Sequence, residues 1–208
     1  MNTVIKNKSF RASAGDRLAS LALSGETVFH SGDLANLWGI QNKSTLNKTL
    51  LRYSAKKFIH RIYKGLYSLK KINEIDPFLL GVKAIHSPAY ISCESALYDH
   101  GILNQPSREI TMVSSFSRRF SVGGAKYRSR KMKDEFLYND AGIEMKNGVR
   151  MASVSRAVAD MLYFSPRKYF DAPALPAGRT NSGLIDWREV KNIIDTAGYK
   201  VKLPKNAL

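Results

Sequence analysis

Cysteine, acidic residues and long apolar runs are all scarce in this sequence. Cys93 is the single cysteine among 208 residues, which excludes a disulfide within the chain and a zinc site built from several cysteines. No apolar run approaches the roughly 18 residues that a membrane-spanning helix needs, and the N-terminus lacks the apolar core of a signal peptide. These absences predict a cytoplasmic protein that has no membrane segment.

Basic residues, in contrast, are abundant. The chain has 33 lysines and arginines against 17 aspartates and glutamates, which gives a formal net charge of +16 at pH 7. An excess of this size is unfavourable through self-repulsion and is typical of proteins that bind DNA, RNA or an acidic membrane surface. Residues 1–75 carry 13 basic and 4 acidic side chains, hence +9 in about a third of the chain. A second basic cluster lies between residues 118 and 133.

The remaining composition is that of an ordinary folded protein. Hydrophobic residues make up 44% of the chain, enough to build one large core or two smaller ones. A polar segment at 70–76 precedes Pro77, which suits the first turn of a helix. We therefore predict an N-terminal domain over 1–75 and a C-terminal domain over 77–208.

The N-terminal domain is predicted to begin with two short helices. Apolar residues at helical spacing indicate an amphipathic helix over 14–23, and residues 27–30 form a short extended run. The hydroxyl of Ser31 is expected to cap a second helix over 33–37. Gly39 suits the left-handed backbone of the tight turn that would follow.

The next predicted helix is apolar on one side and basic on the other. Leu46, Leu50 and Tyr53 share one face, and residues 59–69 follow as a hairpin with Lys64-Gly65 at its tip. A basic helix face alone is more often a solvated surface than a binding site, but a basic hairpin directly after it favours DNA binding. A helix, a turn, a second helix and a basic wing form the arrangement that enters the major groove of DNA. We therefore predict a winged helix-turn-helix.

Polar and basic side chains on that helix and hairpin are the predicted DNA contacts. Lysine can donate to guanine O6 and N7, and asparagine can pair with adenine N6 and N7, whereas contacts to phosphates position the protein without specifying a sequence. The residues expected near base edges are Lys43, Ser44, Thr45, Asn47 and Lys48. Those expected at phosphates are Arg52, Lys56 and Lys57, and those on the wing are Arg61, Tyr63 and Lys64. The predicted partner is double-stranded DNA.

The C-terminal domain is predicted to mix strands and helices. Short strands are expected at 89–92, 108–114, 133–138 and 148–151, and helices at 92–101, 153–164 and 186–197. Ser153 and Asp186 are the expected caps of the last two helices. Gly123-Gly124 marks either a turn between strands or a flexible hinge, and a loop rich in proline, glycine and alanine is predicted over 171–183. The predicted fold class is therefore α+β, with a winged helix-turn-helix followed by a mixed α/β domain.

The sequence carries no pattern that predicts an enzyme, a metal site or a cofactor. Its histidines have no metal-binding spacing, Cys93 has no nearby partner that would mark a nucleophile, and glycine-rich phosphate loops are absent. A nuclease-like site would need a tight acidic pair followed by a lysine, which the second domain does not offer. Capping and surface solvation explain its carboxylates more simply. The histidines are His30, His60, His86 and His100, and the carboxylates are Glu94, Asp99, Glu109, Glu135, Glu144 and Asp160.

Four segments together resemble the AbiEi-type antitoxins, which are the antitoxin and transcription-regulator half of bacterial type IV toxin–antitoxin pairs. They are the helix-turn-helix from Ser31 to Arg52, the wing Lys64-Gly-Leu-Tyr-Ser-Leu69, the segment Tyr90-Ile-Ser-Cys-Glu-Ser-Ala-Leu-Tyr-Asp-His-Gly101, and the strand and Ser-Arg-Ala helix of 148–162. The likeness covers about residues 10–165. Many regulators share the winged-helix portion, and its combination with residues 90–101 is more specific.

The resemblance implies a two-domain antitoxin. Its winged helix would bind the protein's own promoter and repress the operon, and its C-terminal domain would be needed for antitoxicity. The implied functional partner is a nucleotidyltransferase toxin encoded next door, which antitoxins of this family need not hold in a stable complex. Two alternatives stay open: a stand-alone winged-helix regulator and a nuclease-like enzyme that acts on nucleic acid.

The second basic cluster has two interpretations. It is either a contact surface for a polyanion or for the toxin's acidic substrate, or a solvated loop around Gly123-Gly124. Its members are Arg118, Arg119, Lys126, Arg128, Arg130 and Lys131.

Overall fold

The computed structural model describes residues 13–164, 185–201 and 203. The chain divides into two compact units, one ending at Ile75 and the other beginning at Asp76. The predicted α+β class is confirmed, with an N-terminal helical region and a sheet in the second unit. None of the helices within the described ranges is long and apolar enough to cross a membrane.

The described part of unit 1, residues 13–75, contains three α-helices and a small antiparallel sheet. The elements are α1 (Ala14–Leu23), β1 (Val28–His30), α2 (Ser31–Leu37), α3 (Lys43–Ala55), β2 (His60–Tyr63) and β3 (Leu66–Ser68), followed by a 3-10 turn over Ile72–Glu74. The strands lie in the order β1-β3-β2, so that β3 occupies the centre. One hydrophobic core joins all three helices to the sheet through residues such as Leu21, Leu34, Leu50 and Tyr67.

Local capping explains where the helices of unit 1 begin. The Ser13 hydroxyl accepts a hydrogen bond from the amide of Asp16, and the Asn42 side chain accepts one from the amide of Thr45 at 3.0 Å. The predicted cap at Ser31 is wrong, because α2 already includes Ser31 as its first residue. The carboxylate of Asp33 instead accepts from the amide of His30, so the acidic side chain in the first turn organises this end.

Unit 2 is built on a six-stranded mixed sheet. Its elements are α4 (Pro77–Ala84), β4 (Ala89–Ile91), α5 (Glu94–Asp99), β5 (Ile110–Ser114), β6 (Arg118–Val122), β7 (Ala125–Lys131), α6 (Asp134–Leu137), β8 (Ile143–Lys146), β9 (Val149–Ala152), α7 (Val154–Phe164) and α8 (Trp187–Ala197). The strand order is β6-β7-β5-β4-β9-β8. The pairs β4–β9 and β5–β7 are parallel, and the other pairs are antiparallel.

Three details of unit 2 differ from the sequence prediction. Residues 134–137 form the helix α6 instead of a strand, because Phe136 and Leu137 are buried side by side after two acidic residues that suit a helix start. The edge strand β8 was not predicted, since three of its four residues are exposed and it lacks the alternation of a half-buried strand. The helix α5 begins at Glu94, after the strained backbone of Cys93. The loop predicted over 171–183 lies outside the described residues.

Other predictions for unit 2 are confirmed. The strands at 89–92, 108–114 and 148–151 appear as β4, β5 and β9, and the helices that begin after Ser153 and Asp186 appear as α7 and α8. Gly123-Gly124 forms the turn between β6 and β7, with φ values of +61° and +81°. The Asp186 carboxylate caps α8 by accepting from the amides of Arg188 and Glu189.

A buried polar cluster joins residues 90–101 of unit 2 with residues 148–162. Arg156 on α7 donates to Asp160 one turn later, to the hydroxyl of Tyr90, and to three backbone carbonyls of 136–141. Asp160 also accepts from the hydroxyls of Tyr90, Ser92 and Tyr199 at 2.7–2.9 Å. The polar cluster therefore ties β4, α7 and the end of α8 together, which gives both segments a structural role.

Candidate nucleic-acid interface

The exposed side of α3 carries the side chains that were predicted to contact bases. Burial of Leu46, Thr49, Leu50 and Tyr53 fixes the rotation of this helix. Successive residues of an α-helix are about 100° apart, so the side opposite those four is turned to solvent. The residues exposed there are Lys43, Ser44, Thr45, Asn47 and Lys48.

The second half of α3 and the chain that follows it are also basic and exposed. Arg52 lies on the last turn of α3, and Lys56 and Lys57 follow directly. Lys57 has a positive φ of 58°, which turns the chain out of the helix and towards β2. These three cations therefore extend the charge of α3 beyond its C-terminal end.

The hairpin β2–β3 has one exposed basic side chain in β2 and one at the turn. Arg61 and Lys64 are exposed, and Tyr63 is half-buried. Gly65 has a φ of +92°, a backbone conformation that favours glycine, and its carbonyl accepts from the amide of Ser31 at 2.9 Å. That bond ties the hairpin turn to the start of α2, so the hairpin has a fixed position relative to the helices.

A groove of about 570 Å³ lies between α3 and the hairpin. It brings together residues that are distant in sequence. Its lining residues are Ser31, Asn47, Leu51, Ser54, Arg61, Lys64, Gly65 and Tyr67. A second groove of about 600 Å³ lies between α2 and the first half of α3, where Lys43 and Asn47 line it. Both grooves are lined by Ser31 and Asn47, so the exposed side of α3 is a ridge with both depressions along the same flank.

We call the exposed side of α3 together with the hairpin the α3–hairpin surface. It comprises Lys43, Ser44, Thr45, Asn47, Lys48, Arg52, Lys56, Arg61, Tyr63 and Lys64. No acidic residue occurs between Asp33 and Glu74, a stretch that has nine lysines and arginines. Within the described part of the chain, none of the surface's lysines and arginines forms an ion pair. Their charge is available to an external anion.

The second basic cluster does not form one surface. The pairing of β6 with β7 puts Arg118 and Lys131 on the sheet face of Phe120 and Tyr127, and Arg119, Lys126 and Arg128 on the other face. Arg130 does not belong to an exposed surface, because it is only 9% exposed and donates to Glu94 at 2.7 Å. Arg119 is held by Glu109.

Most carboxylates considered for catalysis are held in ion pairs. Glu94, Glu109 and Asp160 bind arginines, and Asp99 and Glu135 bind lysines. Glu94 and Glu135 also lie in the first turns of α5 and α6, where acidic side chains are favourable, and Glu135 stays largely exposed. Among the described residues, no cluster of three or more His, Cys, Asp or Glu side chains is arranged to hold a metal ion.

Cys93 lies at a sharp turn between β4 and α5, with φ 56° and ψ −133°. A residue other than glycine held in this region stores strain of about 1–3 kcal/mol. The side chain is fully buried, and burial raises the pKa of the Cys93 thiol well above its usual range. The thiol is therefore neutral at physiological pH and lacks the thiolate character of a nucleophile.

Comparison with known proteins gives little similarity. No protein-family model matches the chain, and no curated protein matches it. One solved structure to which it is similar is the crystal structure of the RV2827C protein from Mycobacterium tuberculosis, with a TM-score of 0.42 and 14% sequence identity. That match covers 87% of this chain and 75% of the other. A likeness at this level supports no conclusion about function.

Two residues of the groove were not among the predicted contacts. They are the exposed Leu51 and the half-buried Ser54, which both lie on α3 and line the groove beside the hairpin. Leu51 has a visible signal in the sequence, since it is an apolar residue that falls out of phase with Leu46, Leu50 and Tyr53. Ser54 has none, because its place beside the hairpin depends on the tertiary fold.

Proposed function

We propose that this protein is a transcriptional regulator that binds duplex DNA through the α3–hairpin surface. The observation that carries the proposal is the concentration of cations on the exposed side of α3 and the adjoining hairpin, where none forms an ion pair with a described residue and no acidic residue lies among them. Such a surface attracts the phosphates of DNA and gains free energy from the release of condensed counterions.

The dimensions of α3 support this proposal. Its 13 residues give a length of about 20 Å at 1.5 Å per residue. The major groove of B-DNA, about 12 Å wide, admits an α-helix. The order of helices and strands in unit 1, with the β2–β3 hairpin directly after α3, is consistent with the winged helix-turn-helix predicted from the sequence.

The proposal is tested by binding of the full-length chain to the DNA upstream of its own gene. We expect that fragment to be retarded in a gel at lower protein concentration than an unrelated duplex of equal length. A reporter driven by the same promoter should be repressed when the protein is expressed. Equal affinity for both duplexes would contradict a regulatory role, and no binding at low salt would contradict DNA binding altogether.

The likeness to AbiEi-type antitoxins extends the proposal to a toxin–antitoxin pair. In this proposal the protein represses its own operon and counteracts a nucleotidyltransferase toxin, and residues 77–208 supply the antitoxicity. Co-expression with a nucleotidyltransferase encoded next to the gene tests it. We expect the full chain and residues 77–208 to restore growth. Rescue by unit 1 alone would mean that protection works through transcription.

A further inference from the structure

Leu51 is an apolar residue in the middle of the polar α3–hairpin surface. Its side chain is 71% exposed, although three leucine and tyrosine neighbours on α3 are buried. It lies five residues after the buried Leu46, which corresponds to a rotation of about 140° around the helix axis. Among the described residues of unit 1, 13–75, no packing therefore accounts for a leucine at this position.

The neighbours of Leu51 show which way it faces. Asn47 and Lys48 precede it by four and three residues, so all three lie side by side on the exposed ridge of α3. Leu51 and Asn47 also line the groove that α3 shares with Arg61 and Lys64 of the hairpin. The leucine is thus placed between the residues predicted to contact bases and the cations of the hairpin.

The charge around Leu51 decides between the possible occupants. A second copy of this face, or any basic protein, would bring like charges together around the leucine. Duplex DNA is a polyanion and offers one apolar group in its major groove, the C5-methyl group of thymine. An exposed aliphatic side chain among phosphate-binding cations matches that combination.

We infer that Leu51 contacts the C5-methyl group of a thymine and makes the protein select a thymine·adenine pair at that position. This inference rests on the proposed function, because it needs α3 to lie in the major groove. Cytosine lacks the methyl group, and an A·T pair in the opposite orientation places its methyl group on the other strand. Leu51 would therefore add to the specificity given by the polar side chains beside it.

The test uses the full-length chain and duplexes that it enriches from a randomised DNA library. Each thymine of an enriched duplex is replaced in turn by deoxyuridine, which removes only the methyl group. We expect the wild type to lose about fourfold in affinity at one thymine, the loss that follows from one methyl group no longer buried against an apolar side chain. Leu51→Ala should bind the thymine and uracil duplexes equally.

Two further variants serve as controls. Leu51→Met keeps an apolar side chain of similar size and should retain the preference for thymine. Leu23→Ala changes a leucine that is 87% exposed on α1 and should behave as the wild type. Circular dichroism verifies that every variant is folded.

The outcomes separate this inference from the proposed function. Three outcomes would each overturn the role of Leu51 and leave DNA binding standing. The wild type could bind every uracil duplex with undiminished affinity, or the enriched sequences could lack a fixed T·A pair. The third is that Leu51→Ala shows the same fourfold loss as the wild type. Absence of binding to any thymine duplex at low salt would overturn the proposed function and the inference together.

Discussion

At the scale of single residues, the buried guanidinium of Arg156 holds several segments of unit 2 together through its hydrogen bonds. Arg156 and Asp160 are both fully buried, and the Nε atom of Arg156 lies 3.0 Å from Oδ1 of Asp160. Burial alone would lower the pKa of Arg156, but the carboxylate of Asp160 together with Tyr90 and Tyr199 outweighs that effect and holds the pKa above its ordinary value. Burial also raises the pKa of Tyr90 and Tyr199, so their hydroxyls stay protonated and donate to Asp160.

Asp160→Asn should destabilise the protein by about 3–5 kcal/mol, because it leaves the charge of Arg156 buried without a counterion. The free energy of unfolding in urea measures the effect. Glu109→Gln is the matched control, since it breaks an ion pair whose arginine is 65% exposed and should cost at most about 1 kcal/mol. Equal losses of unfolding free energy in both variants would show that burial does not make the Arg156–Asp160 pair more important for stability than an exposed ion pair.

At the scale of elements, a glycine sets how closely α4 approaches the sheet of unit 2. A Cβ atom at Gly81 would lie 2.3 Å from a ring carbon of Tyr127 and 2.9 Å from the terminal methyl group of Met112. The ring of Tyr127 cannot easily move, because its hydroxyl donates to the carbonyl of Pro77 and its face stacks on Phe120.

We predict that Gly81→Ala destabilises the protein by about 1–3 kcal/mol through overpacking. Gly32→Ala in α2 is the control, since nothing lies within 4 Å of a Cβ atom there. Alanine should stabilise that helix by about 0.5–1 kcal/mol. Thermal unfolding of the two variants measures both effects. A stabilising Gly81→Ala would mean that α4 has room to move away from the sheet.

Substitutions in α3 and directly after it should have different effects on sequence specificity and on general affinity for DNA. Asn47→Ala or Lys48→Ala should weaken binding to the cognate duplex by about 1–3 kcal/mol and random DNA much less, because these residues would face the bases in the proposed complex. Lys56→Gln should weaken both duplexes about equally, since a phosphate contact carries no sequence information. Lys57 is not substituted, because its φ is positive and a change of residue there would also disturb the backbone. If both sets behave alike, the predicted orientation of α3 is wrong.

Elements whose signal is local could be predicted from the sequence. The helices α1 and α3 follow from apolar residues at helical spacing, and the hairpin turn at Gly65 follows from a glycine between two short extended runs. The start of α2 was misplaced because a serine and an aspartate compete for the same capping role within three residues. The helix α6 is too short for its two buried residues to distinguish a helix from a strand.

The tertiary part of the candidate site could not be predicted. The burial of Arg130 depends on Glu94, which lies 36 residues away along the chain, and the two-sided arrangement of the second basic cluster depends on the register of β6 with β7. The groove beside Leu51 exists only because the hairpin folds back towards α3. Patterns along the sequence do not encode such distances.

At the scale of the whole molecule, the distribution of charge connects the structure with the proposed function. The chain has a net charge of +16, but arginines of unit 2 such as Arg130 and Arg156 are each balanced by the carboxylate of an ion pair. The lysines and arginines of the α3–hairpin surface have no such partners among the described residues. Long-range attraction to a polyanion should therefore depend on this surface more than on the total charge.

The salt dependence of DNA binding by the full-length chain tests this claim most directly. One variant replaces Arg52, Lys56, Arg61 and Lys64 by glutamine, and a matched variant replaces Arg118, Arg119, Lys126 and Lys131 by glutamine, so that both lose four charges. A plot of log Kd against log salt concentration should be shallower by up to about 3.6 for the first variant, at about 0.9 per lost phosphate contact. The second variant should keep the wild-type slope. An unchanged slope in the first variant, together with a reduced slope in the second, would contradict the assignment of DNA binding to the α3–hairpin surface.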